Sequence, residues 1–93
     1  MAVHEYHSLP GFELVERGLA DLASAVESEE ALLVSIAAPR LRWLGIPVTT
    51  PFPGPEHRLY ELLREKNPDD AHSRYNALLR RLVSFERAAE CAS

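Results

Sequence analysis

Residues 68–91, PDDAHSRYNALLRRLVSFERAAEC, leave few folds open to this chain. Ala71, Tyr75, Leu78, Leu82, Phe85 and Ala89 recur at alternating steps of four and three. That spacing is the seam of an amphipathic helix, which is stable in water only when its apolar stripe is covered by other elements. At 1.5 Å per residue a helix over these positions spans ~36 Å. Such a helix is expected to cover two neighbours or to overhang them. The remainder of the chain therefore has to supply apolar faces of matching period.

Two stretches do so. Ser8 reads as an N-cap with Pro10 in the first turn, and Phe12, Val15, Leu19, Leu22 and Val26 then step three, four, three, four. The expectation is a first helix over about 9–26. Gly18 in its middle is unfavourable by roughly 1 kcal/mol relative to Ala. It is read as a tolerated weak spot, the alternative being close approach of a neighbouring backbone. Ser28 reads as the cap of a second helix, with Glu29 and Glu30 at its positive end. Ala31, Leu32, Leu33, Val34, Ile36, Ala37 and Ala38 then make it apolar almost all round, as befits a helix buried on several sides.

Pro39 is expected to break or kink that run and to start a short segment, PRLRWLG, with Leu41 and Leu44 inward and Gly45 closing it. Arg40, Arg42 and Trp43 fall on its outer side, where Trp43 is read as a lid over a small core rather than as a binding surface. Residues 46–55, IPVTTPFPGP, hold four of the seven prolines and read as an extended connector packed across the surface through Ile46, Val48 and Phe52. Pro55 starts a further helix whose apolar face is Leu59, Leu62 and Leu63. Asn67 ends it and caps the last helix, with Pro68 in first position and Asp69 and Asp70 in the first turn. So tight a link makes these two helices a hairpin.

The fold expected is all-α: a small bundle of four main helices, a short helical segment after Pro39, and a Pro-rich connector at about 46–55. Residues 1–93 are taken as a single helical domain, with 1–7 as a flexible tail. The length suits one domain, and 46% apolar with 26% charged residues suits a globular chain. No uncharged run approaches the ~20 residues of a membrane span. The start MAVHEYH has neither the basic end nor the apolar core of a secretory signal. The single cysteine, Cys91, excludes a disulfide within the chain and fits a reducing compartment. A cytoplasmic protein is expected, with no membrane association.

Charge is divided along the chain. Residues 1–38 carry seven acids against Arg17 alone, and residues 39–93 carry nine basic residues against seven acidic ones. The reading adopted is that the acidic first half lies against the basic last helix. The other is that the basic side faces an acidic partner. On a wheel of the last helix, an apolar arc holds the seam together with Leu79 and Val83. Glu86 falls inside that arc and needs a salt-bridge partner or an edge position. Opposite lies a strip of small residues, Ser73, Ala77, Ser84, Ala88 and Cys91, between Arg74 and Arg81 on one side and Arg80 and Arg87 on the other. Asp70 and Arg74, four apart, are placed to pair along the surface.

These features favour a non-enzymatic protein–protein interaction or regulatory module acting through the C-terminal helix, with another protein or as a homodimer. The expected partner-binding residues are Arg74, Ala77, Arg80, Arg81, Ser84, Arg87 and Ala88. No cofactor and no metal is expected: there is no glycine-rich phosphate loop, no HExxH and no Cys/His zinc spacing. A chain beginning Ala2-Val3-His4 after loss of Met1 offers a square-planar Cu(II) or Ni(II) site, as any chain with His third does. His4 and His7 share a metal only in an ordered tail. Cys91 with Arg87 one turn earlier is a mild thiolate-favouring arrangement without a nameable base. Two further readings stand beside the first. One is nucleic-acid binding through Arg74, Arg80, Arg81 and Arg87, which the net charge of −4 disfavours. The other is a small hydrolase or RNase-like activity centred on His72 and Arg74, although these point about 200° apart on one helix.

Overall fold

The computed structural model describes residues 6–92, and within them the chain forms four helices and no strand: α1 (Phe12–Ala23), α2 (Glu29–Trp43), α3 (Pro55–Lys66) and α4 (Ala71–Ala92). The bundle expected from the hydrophobic period is the bundle found. Its core is contiguous. Phe12, Val15 and Leu22 of α1, Leu32, Leu33, Val34 and Leu41 of α2, Leu59 and Leu63 of α3, and Leu78, Leu82 and Phe85 of α4 are all buried together.

α2 is the central element. Ser28 caps it, accepting a hydrogen bond from the Ala31 amide at 3.0 Å while its hydroxyl donates to Asp21 Oδ2 at 2.6 Å. Because α2 is walled in by the other helices, Pro39 does not break it. The helix runs through Pro39 to Trp43, and there is no separate third segment. A proline inside a helix removes one ladder hydrogen bond and is unfavourable by about 3 kcal/mol or more. Ala38 and Leu41, buried on either side of it, hold the backbone helical against that penalty. Leu41 and Leu44 face inward as expected, and Gly45 closes the end. The Gly45 amide donates to the Arg42 carbonyl at 3.0 Å and the Ile46 amide to the Leu41 carbonyl at 2.8 Å, the paired closure of a Schellman motif.

α1 is shorter at both ends than its period implies. Tyr6 is only 2% exposed, donates its hydroxyl to the Leu44 carbonyl at 3.1 Å, and sets its ring edge-on to Phe85. The described part of the 1–7 stretch is thus no tail. Anchoring this ring sends residues 6–11 through turns, and the N-cap is Gly11, not the exposed Ser8. Gly11 has φ +80°, and a Cβ there would lie 3.0 Å from the Arg81 carbonyl oxygen of α4. At the other end the amides of Ala25 and Val26 bond back to Leu22 and Asp21, with Ala25 at φ +57°. This closure stops the helix at Ala23 and leaves Val26 outside the seam, 49% exposed. Gly18 is a close-approach site and not a tolerated weak spot. A Cβ there would come within 2.4 Å of both the Glu30 carbonyl oxygen and Val34 Cγ2, so α1 and α2 touch backbone to helix at this point.

The connector lies extended over the core, as its prolines require. Ile46 and Val48 are buried and Phe52 half-buried. Arg42 grips the Val48 carbonyl through Nε at 2.9 Å and Nη2 at 2.8 Å, and the Phe52 amide donates to Ser35 Oγ at 3.0 Å. α3 starts at Pro55 and packs on α4 through an edge-to-face pair, Tyr60 and Tyr75. Between them Asn67 forms an Asx turn, its Oδ1 accepting from the Asp69 amide at 3.1 Å. That turn uses up residues 67–70, so α4 begins at Ala71 and not at Pro68. α4 does not overhang. Ala89, in its last turns, is fully buried, and the helix rests on all three others.

Candidate functional site

The acidic first half does lie against basic residues further along the chain. Glu29, at the start of α2, is 9% exposed and takes two cations: Lys66 of α3 at 2.6 Å and Arg74 of α4 at 2.9 Å. Glu13 of α1 pairs with Arg81 of α4, and Glu27 with Arg58 of α3 at 2.8 Å. Arg74 is therefore committed to Glu29 and not to Asp70, whose carboxylate instead accepts from the Asn67 side-chain amide at 3.1 Å. One of the two arginine rails expected on α4, Arg74 with Arg81, serves the fold.

The other rail is different. Arg80 and Arg87 are exposed, and neither has an ion-pair or hydrogen-bond partner among the described residues. With Asn76, Leu79, Val83 and Ser84 they line a groove of about 490 Å³. Leu79 and Val83 are shared with a second groove of about 660 Å³, where α2 contributes Ile36, Pro39, Arg40 and Trp43 and α4 contributes Leu82 and Glu86. The two form one trough, with an apolar floor between α2 and α4 and two arginines one heptad apart on one margin.

Trp43 is 73% exposed at its edge and Val83 40%, and both are among the few large apolar side chains left to solvent. Trp43 is not a lid over the core, since Leu44 and Leu41 beside it already fill that space. Val83 and Leu79 lie at the solvent margin of the core arc, not within it. α2 covers only the Leu78–Leu82–Phe85 side of α4.

Glu86 lines the trough from α4, half-buried. Burial raises its carboxyl above the usual 4.5; Arg40 pulls it back and Glu90 pushes it further up. Arg40 gives Glu86 no salt bridge because it is held by Glu90. An edge position, without a salt bridge, is thus the solution found for this carboxylate.

Of the residues expected to bind a partner, Arg80, Ser84 and Arg87 line the trough, whereas Arg74 and Arg81 are paired elsewhere. Ala77 is exposed and Ala88 half-buried, and neither lines it. Sequence reasoning missed Ile36, Trp43 and Glu86 as residues lining the trough. The signal available was the pairing of an unburied Trp with a carboxylate in an apolar arc.

In the tract from His72 to Asn76 the structure does not bring His72 and Arg74 together. His72 contacts the Asn76 amide nitrogen at 3.2 Å, while Arg74 turns to Glu29. Cys91 is exposed and unpaired. The described residues contain no group of three His, Cys, Asp or Glu placed to hold a metal ion, and no helix long and apolar enough to cross a membrane. The Ala2-Val3-His4 site, and any site using His4, lies outside the described residues.

The class these observations define is a small four-helix module with an amphipathic trough between two of its helices. Comparison with known protein families, with curated proteins and with solved structures finds no match.

Proposed function

We propose that this protein is a non-enzymatic protein-interaction module whose trough between α2 and α4 receives an amphipathic helix of a partner protein. The observation that carries the reading is the trough itself. A helix pair with an apolar floor, left open with Trp43 and Val83 at its edges, lacks the third helix that would complete its packing. A partner helix suits it better than a second copy of the chain. Two copies packed with these margins together would bring Arg80 and Arg87 of each near the other's, and no carboxylate among the described residues lines that groove to answer them. The nucleic-acid reading is weakened, because two of its four arginines are spent on Glu29 and Glu13.

The single tryptophan stands at the rim and reports on the trough. A synthetic amphipathic peptide of about 16 residues, with leucines at helical spacing, is expected to shift Trp43 emission to the blue, saturably, and Val83→Arg is expected to abolish the shift. Absence of any shift overturns the reading. If wild-type protein without peptide becomes a dimer by sedimentation and Trp43 shifts with protein concentration alone, the occupant is a second copy, and the partner-helix reading is lost.

A further inference from the structure

The trough reading does not say what distinguishes the right helix from any other apolar one. The margins do. On one side Arg80 and Arg87 stand seven residues apart, two helical turns, which places them ~10.5 Å apart along α4 on nearly the same azimuth. The other arginines of α2 and α4 are occupied: Arg74 by Glu29, Arg81 by Glu13, Arg40 by Glu90 and Arg42 by the Val48 carbonyl. These two helices thus leave two arginines without a partner among the described residues, both at one margin of the trough. Within the trough, on α4, stands Glu86, half-buried and without a salt bridge, where an acidic ligand residue would be repelled.

Resting on the trough reading above, we infer that the partner is an acidic amphipathic helix, carrying carboxylates one heptad apart along one edge that meet Arg80 and Arg87, with no acid where the helix lies over Glu86. Arginine suits this role. Its forked guanidinium donates two parallel N–H bonds to the oxygens of a carboxylate, and two such contacts in fixed spacing set the register of the docked helix along α4. The apolar floor supplies the adhesion and the arginine margin supplies the selection, since charge pairs at a rim contribute more to discrimination and encounter than to affinity.

The test uses three synthetic helical peptides with one leucine face, differing only at two edge positions seven residues apart: Glu, Gln or Lys. Trp43 emission gives each Kd. The expected order is Glu, then Gln, then Lys, with Glu about tenfold tighter than Gln at low salt and the gap closing as salt is raised. Arg80→Glu with Arg87→Glu is expected to reverse the order, so that Lys binds best. Circular dichroism of that variant checks that the fold is intact, and Arg80→Gln with Arg87→Gln gives the same information without reversal by flattening the three Kd values. Equal Kd values for all three peptides on the wild-type protein would overturn the acidic-helix inference and leave the trough reading standing. No Trp43 response to any peptide would remove both.

Discussion

α4 carries two pairs of arginines, each pair one heptad apart, and the fold treats them in opposite ways. Arg74 and Arg81 reach to Glu29 and Glu13 and tie α4 to the first half of the chain. Arg80 and Arg87, displaced around the same helix, stand exposed at the margin of a trough and pair with no acid among the described residues. Composition and spacing do not tell them apart. What separates them is where the acids of other helices lie, a property of packing. A basic face becomes evidence for a partner only after the cations used internally have been subtracted.

The contrast between the two sides of α4 can be broken by measurement. The largest effect belongs on the inner side. Phe85 is fully buried against Tyr6 and Phe12, and Phe85→Ala is expected to destabilise by about 3–5 kcal/mol in urea unfolding. Next comes the anchor of the paired arginine. Glu29→Ala frees Lys66 and Arg74 together and is expected to remove about 1–3 kcal/mol, part of it recoverable in salt.

A smaller effect, of opposite sign, is expected at Glu86. Its folded carboxyl lies above the ordinary 4.5, so the folded state holds that proton more tightly than the unfolded chain. Its contribution to stability is fully present below the unfolded value and is lost as pH rises through the folded one. Glu86→Gln should therefore raise stability at neutral pH and flatten the unfolding midpoint across the window just above 4.5. A variant less stable than wild type at neutral pH contradicts that. The smallest effect belongs to the free pair: Arg80→Ala and Arg87→Ala should each change stability by no more than about 0.5 kcal/mol. A loss as large as that of Glu29→Ala would erase the distinction between the two sides.

Much of the fold was legible because it rests on period and caps. The α4 seam, the Ser28 cap, the all-round apolar α2, the connector and the Gly45 closure each follow from local residue types that tertiary packing then reinforces. The errors share a cause, which is contact between residues distant in sequence. Tyr6 has no periodic neighbours and becomes core only through Leu44 and Phe85. Pro39 is an effective helix breaker in isolation and not between buried Ala38 and Leu41. Ala25 in a left-handed conformation carries no glycine to announce the end of α1. The site was less legible still. Its trough exists only because Trp43 and Val83, forty positions apart in the chain, come to the two edges of one cleft.

The anchoring of Tyr6 also bears on the order of events during folding. Its hydrogen bond spans 38 residues and has as its acceptor a carbonyl at the end of α2. Closing so long a loop costs chain entropy before any contact rewards it, whereas the links from α2 through α3 to α4 are nearer neighbours along the chain. The aromatic plug at the start of the chain is then expected to close after the contacts between helices adjacent in sequence have formed. Tyr6→Phe, which deletes the hydroxyl and keeps the ring, should accelerate unfolding and leave the folding rate nearly unchanged in stopped-flow denaturant jumps.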